Sequence, residues 1–385
     1  MKKIITLLLV LVMVVSIAGC GAKNDNTASN DNATTNNNAT TNDNAKTDEN
    51  TSTDSEKLKV IVLMNGTLGD KSFYDSAASG VELINKEIEN VEAKYVEMGY
   101  DSSVWATTLA NVSEEDYDII VVMTYQLQDA LQEIAPQHPD KKYIIVDSNV
   151  DYSAGDCGNV YSLTFKQNEA SYLAGALAAM MTKSNVISAV GGMDIPVIND
   201  FIVGYIQGAT DVNPDIKVIT SYVGDFNNTA VAKELAEIQV NNGSDVCFNV
   251  AAQAGLGVLE AAAEKGVYAI GVDADQAEAM AADGKTNIAE HIVSSVMKNV
   301  GQAIYLSVKR HLEGTLPYGT EEALGITEGA VGLADSNDYY KNMTTEEIRN
   351  KIAELNEKIS SGAITVRSSF DESLDVVDYI GSVAP

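Results

Sequence analysis

Ser295-Val296-Met297-Lys298 sets a hydroxyl and an amine three residues apart, the S-x-x-K spacing used by penicillin-interacting serine enzymes. On a helix that spacing puts both groups on one face. Those enzymes also carry S-D-N and K-T-G elements. The nearest strings here, Ser336-Asn337-Asp338 and Lys285-Thr286-Asn287, are in the wrong order and differently placed. The serine-enzyme reading is therefore disfavoured. The three histidines, His138, His291 and His311, fall into neither H-x-x-x-H nor H-E-x-x-H, so no zinc site is expected. The chain has no G-x-S-x-G elbow and no P-loop, the usual marks of hydrolases and nucleotide-hydrolysing proteins. Gly255-Leu256-Gly257 opens a dinucleotide fingerprint, but Glu260 occupies the place of its third glycine. The two glycines are instead expected to let a ligand approach backbone N–H groups at a helix start. The expectation is a protein without catalysis, cofactor or metal.

What remains are residues suited to binding. Phe73 follows the loop of a first apolar run, Asp147 ends the run Tyr143 to Val146, and Phe226 lies in Val223-Gly224-Asp225-Phe226-Asn227. Asp273 and Asp275 sit in Gly271-Val272-Asp273-Ala274-Asp275-Gln276. All follow predicted strands, and open α/β sheets place ligands at the carboxyl ends of their strands. The predicted strands are Leu58 to Met64, Glu92 to Met98, Tyr117 to Met123 and Tyr143 to Val146, with helices at Asp70 to Glu87, Val104 to Ala110 and Gln126 to Ile134. This β-α-β alternation implies a parallel sheet covered on both faces. It begins again with strands near Val186 to Val190, Ile216 to Tyr222, Val246 to Val250 and Val267 to Val272, with helices between them. The fold class is α/β, with two Rossmann-like lobes joined by a multi-crossing hinge, the type I periplasmic binding protein architecture.

The predicted lobes are residues 58–163 plus about 290–318, and 164–289 plus about 319–385. A helix over Ser295 to Leu312 is expected to carry the chain back to the first lobe. The closing helix has a Thr344/Glu347 capping box, a face of Ile348, Ile352, Leu355 and Ile359, and a stop at Gly362. Cys157 and Cys247 fit no disulfide framework or metal motif, and separate buried thiols are expected.

The first residues obey different rules. Met1-Lys2-Lys3 precedes the apolar run Ile4 to Ile17, the order of an export signal over residues 1–19. Ile17-Ala18-Gly19-Cys20 resembles the lipobox of bacterial lipoproteins, which implies that Cys20 is acylated and anchors the chain to the cell membrane. Residues 20–57 are rich in Asn, Thr, Asp, Ala and Ser without apolar periodicity and read as a disordered tether. A formal net charge of −30 repels phosphate backbones, so nucleic acid is not an expected partner.

Five strings carry a resemblance: Gly69-Asp70-Lys71-Ser72-Phe73, Gly191-Gly192-Met193-Asp194-Ile195-Pro196-Val197-Ile198, Tyr222-Val223-Gly224-Asp225-Phe226-Asn227, Ala269-Ile270-Gly271-Val272-Asp273-Ala274-Asp275-Gln276 and Ser295-Val296-Met297-Lys298. From about Lys59 to Val366 the chain resembles the basic membrane protein family of substrate-binding lipoproteins, purine nucleoside receptors of ABC importers among them. The resemblance implies that Phe73 and Phe226 sandwich a purine, and that Asp147 pairs with the base edge near Asn65. It further implies that Asp273 or Asp275, with Lys298, holds the ribose hydroxyls; Asp70 belongs to the first of the matching strings. Expected partners are a nucleoside or related small molecule and ABC permease subunits. A surface sensor or adhesin on the same fold is the alternative. Tyr74 stands where the family has Asn, and Gln253 is expected to narrow the sugar end of the pocket.

Overall fold

The computed structural model describes residues 57–385. The expected export signal, Cys20 and most of the expected tether lie outside the described residues. Twelve strands form two six-stranded sheets. The first holds β1 (Leu58–Met64), β2 (Val91–Glu97), β3 (Ile119–Met123), β4 (Lys142–Val146) and β5 (Val160–Phe165). The second holds β6 (Val186–Gly191), β7 (Lys217–Tyr222), β8 (Val246–Val250), β9 (Tyr268–Asp273) and β10 (Ile292–Lys298). Two late strands, β11 (Thr320–Leu324) and β12 (Val331–Leu333), complete the first and second sheet respectively.

The strand orders are β11-β5-β4-β3-β1-β2 and β12-β10-β9-β8-β6-β7. All pairings are parallel except that of β12 with β10. Runs such as Ile119–Met123 and Val246–Val250 are buried throughout, as strands covered on both faces must be.

Both crossings after the first lie later than expected. The segment Ser295 to Leu312 is not one helix: β10 runs to Lys298 and pairs with β9, and the helix starts at Val300. Ser294 and Val296 are β-compatible and fully buried, and the sheet edge left open by β9 outweighs the helical spacing around them. Residues 292–298 therefore belong with the second sheet, and Thr320–Leu324 with the first. The chain crosses between the sheets at Lys166, at Asn299 and between Leu324 and Val331. The helix Val300–Leu312 packs on the helix Phe73–Glu87 of the first lobe. The helix expected to close the chain is Glu346–Ser360, with Thr345 as its cap accepting from Ile348 N, and a further short helix, Val376–Gly381, follows it. Thr344 is turned instead to Tyr340 O, to which its hydroxyl donates. Ile352, Leu355 and Ile359 of this helix cover Tyr172 and Leu177.

Cys157 and Cys247 are separate buried thiols. In the second lobe the helices Gln167–Met181 and Pro196–Val212 touch backbone to backbone. A Cβ on Gly175 would meet Tyr205 O at 1.9 Å, and one on Gly208 would meet Tyr172 O at 1.9 Å. Gly208→Val should therefore cost at least about 2 kcal/mol, measured as a lower urea midpoint with an unchanged slope.

Candidate ligand site between the lobes

The carboxyl ends of the two sheets face one cavity, the place where open α/β sheets hold ligands. Its walls bring together Phe73, Asp147, Phe226, Asp273 and Lys298, five residues spread over more than two hundred positions of sequence. Phe73 opens the helix after β1, Asp147 follows β4, Asp273 ends β9 and Lys298 ends β10. Phe226 lies against Gly192, where a Cβ would come within 2.3 Å of its ring.

Lys298 is the most enclosed charge of the site, 2% exposed. Its Nζ stands 2.6 Å from Asp147 Oδ1 and 5.2 Å, 5.2 Å and 5.5 Å from the ring centres of Phe73, Phe165 and Phe201. An ammonium in apolar surroundings requires such a partner, and aromatic faces favour it further. Asp147 Oδ1 is thereby committed, while Oδ2 has no bond among the described residues. The acid expected at the base edge and the lysine expected at the ribose are thus direct neighbours.

Asp273 Oδ2 accepts from Ser72 Oγ at 2.5 Å, across the cleft. Burial pushes the Asp273 carboxyl up to about 6, against the pull of Lys298 and Ser72. Between the two acids left open by the sequence, the geometry separates roles. Asp273 lines the cavity. Asp275 caps the helix Gln276–Ala282, accepting from Glu278 N, and binds Asn337 Nδ2 at 2.7 Å.

Two other expected residues stand behind the wall. Asn65 is buried, and its Nδ2 donates to Thr124 Oγ1 and Gln126 Oε1, each at 2.8 Å. Asp70 accepts from the backbone N–H groups of Ser72, Tyr74 and Asp75 and so shapes the loop that presents Phe73. Burial raises its carboxyl to about 6, with those bonds opposing.

The cavity also holds residues that the sequence did not point to, Thr124, Tyr125, Gln126 and Phe201, together with Tyr74. A signal for part of this was backbone conformation, invisible in one sequence. Of the seven non-glycine residues with positive φ among those described, Thr124, Asp147, Ala252 and Asp273 line the cavity. Such strain persists where surrounding structure enforces it and concentrates at sites of function.

Three expectations need correction. Ser295 and Lys298 lie on a strand, where positions three apart point to opposite faces, so no hydroxyl–amine pair exists; Ser295 Oγ accepts from Gln276 N at 3.1 Å. Gln253 is not part of the cavity wall: its Oε1 accepts from Tyr100 Oη at 2.8 Å and joins the lobes. Gly255 and Gly257 serve packing, since a Cβ would meet Asn249 Oδ1 at 1.6 Å or Thr229 O at 2.1 Å. Further bridges between lobes are Lys71 Nζ to Asp283 Oδ2 at 3.0 Å and Gln276 Nε2 to Lys71 O at 3.2 Å.

The model of the PnrA-like ABC transporter substrate-binding proteins matches residues 57–368. This chain belongs to that family. Among PnrA-like relatives, it is 32% identical to the ABC transporter nucleoside-binding protein BmpA of Lactococcus lactis, over 81% of this chain and 89% of that one. It is 32% identical to basic membrane protein A of Borreliella burgdorferi, over 82% and 89%. A solved ABC transporter solute-binding protein from Aeropyrum pernix K1 superposes with TM-score 0.72 at 25% identity, over 85% of this chain and 99% of that one. The architecture is the two-lobed fold of periplasmic solute-binding proteins, and the family is one of substrate binding, not catalysis.

Asp70, Asp200 and Asp273 all have carboxyls raised to about 6, chiefly by burial. A raised acid binds protons more readily folded than unfolded. From about pH 4 to pH 6 the folded chain therefore holds the extra protons, and stability falls as pH rises. Ligand-free protein should melt at a higher temperature at pH 5 than at pH 7.5, and Asp273→Asn should flatten that slope.

Proposed function

We propose that this PnrA-like protein captures a nucleoside, with a preference for purines, and delivers it to the permease of an ABC importer while a lipid on Cys20 holds it at the membrane. The observation that carries the reading is the composition of the cavity. Two phenylalanines, Phe73 from the first lobe and Phe226 from the second, share it with an acid–lysine–acid group, Asp147, Lys298 and Asp273. Flat aromatic faces favour a flat ring by about 1–3 kcal/mol per base, and charged partners favour the hydroxyls of a sugar. The Lactococcus relative, named for nucleoside binding, supports the same reading.

Capture would be coupled to closure. Only a ligand that touches both lobes favours the closed arrangement over the open one, and a ring between Phe73 and Phe226 meets that condition. Asp273 and Lys298 would hold the ribose, with Asp147 Oδ2 facing the base. The two lobes then present one joined surface for membrane subunits to read.

Isothermal titration of residues 56–385, stripped of carried-over ligand, against guanosine, adenosine, inosine, cytidine and uridine tests the proposal. One-to-one binding that favours purines is expected, and Phe226→Ala should weaken it by about tenfold. Heat from none of the five would remove the nucleoside while leaving a solute-binding protein. Cys20→Ser in cells should leave binding intact and release the protein from the membrane fraction; retention there would defeat the lipid anchor.

A further inference from the structure

Gln126 lines the cavity with only one end of its carboxamide in use. Oε1 accepts from Asn65 Nδ2 at 2.8 Å and from Thr124 Oγ1 at 3.2 Å. Nε2 has no acceptor among the described residues. The orientation is imposed from behind. Asn65 is buried, and the Tyr74 hydroxyl donates to its backbone O at 3.0 Å and lies 3.2 Å from its Oδ1. With the oxygen side of Asn65 engaged there, its Nδ2 is left for Thr124 and Gln126. Burial keeps the Tyr74 phenol protonated, well above its ordinary range, so it stays a donor. Thr124 itself sits at φ 67°, ψ 161°, a region nearly reserved for glycine. Its amide bonds Val146 O at 2.8 Å.

That last bond places Gln126 beside β4, which Asp147 follows. A hydrogen-bond donor, Gln126 Nε2, and an open acceptor, Asp147 Oδ2, thus stand on adjacent strand ends of the first lobe. We infer that Gln126 is a specificity-determining residue that selects a ring edge carrying an exocyclic carbonyl beside a ring N–H. Resting on the nucleoside reading above, this favours 6-oxopurine over 6-aminopurine nucleosides. In a 6-oxopurine the carbonyl accepts from Gln126 and N1–H donates to Asp147. In the same pose a 6-aminopurine turns N–H₂ toward the Gln126 donor and an unprotonated N1 toward the carboxylate, so both contacts are mismatched.

Inosine and adenosine differ at this edge alone and are the probes. Titration of the full chain should show inosine binding about tenfold tighter than adenosine, the cost of mismatched polar partners. Gln126→Glu keeps one oxygen for Asn65 and Thr124 and turns an acceptor into the cavity. The inosine-to-adenosine ratio should then fall by about tenfold or invert, and retained adenosine binding reports an intact fold. Gln126 is exposed, so its replacement leaves the core untouched. Should the charged variant bind neither probe, Gln126→Leu replaces it: loss confined to inosine supports the assignment, and equal loss of both overturns it. A wild-type chain without preference, or a Gln126→Glu ratio equal to wild type, also overturns it. A wild-type chain that binds no nucleoside overturns the nucleoside reading and this assignment together.

Discussion

A buried ammonium dictates much of this molecule. Lys298 leaves water at the end of β10, between the two lobes, and a charge so placed is stable only with a partner and a shaped surround. Asp147 supplies the first from the opposite sheet. Phe73 and Phe165 from the first lobe, and Phe201 from the second, supply the second. Removal of one member of such a pair costs about 3–5 kcal/mol, because the remaining charge stays buried alone. The requirement ties the two sheets together at the point where the chain crosses between them.

The parallel sheets explain why so many polar groups converge there. Strand carboxyl ends leave loops free of the ladder, and two sheets facing each other double the supply. The loops are held tightly: Thr124, Asp147, Ala252 and Asp273 occupy positive φ, which non-glycine residues adopt only under constraint. Rigid loops aim side chains with precision. Three short crossings, at Lys166, Asn299 and 325–330, join the lobes, and the contacts Tyr100–Gln253 and Lys71–Asp283 bridge them.

The acidity of the chain has a local echo. In the cavity Asp147 pairs with Lys298 and Asp273 accepts from Ser72, and Asp200, one residue before the ring of Phe201, accepts from Ser368 and Ser369 of the C-terminal segment. Burial holds Asp200 and Asp273 near the top of the carboxylate range. The C-terminal segment is thus fastened close to the crossing after β5, since Gln167, the first residue of the second lobe's opening helix, donates to the same Asp200.

By itself the sequence determined the two parallel α/β lobes, because buried strands such as Ile119–Met123 are continuous apolar runs with a period of their own. It also pointed to Phe73, Asp147, Phe226 and Asp273, which line the cavity, because each follows a predicted strand and chain position relative to a strand fixes which end of a sheet a residue occupies; Lys298, expected on a helix, stands instead at the end of β10. It did not contain the acidic strand Thr320–Leu324, whose five residues are all at least partly exposed and which exists because β5 offers an edge. Nor did it separate Asp273 from Asp275, two positions apart in sequence, one a wall and the other a helix cap. Only tertiary structure decided these matters, along with the Asn65–Thr124–Gln126 chain and the pairing of Lys298 with Asp147. Local sequence records which groups are available, while which of them meet depends on strands and loops brought together from distant parts of the chain.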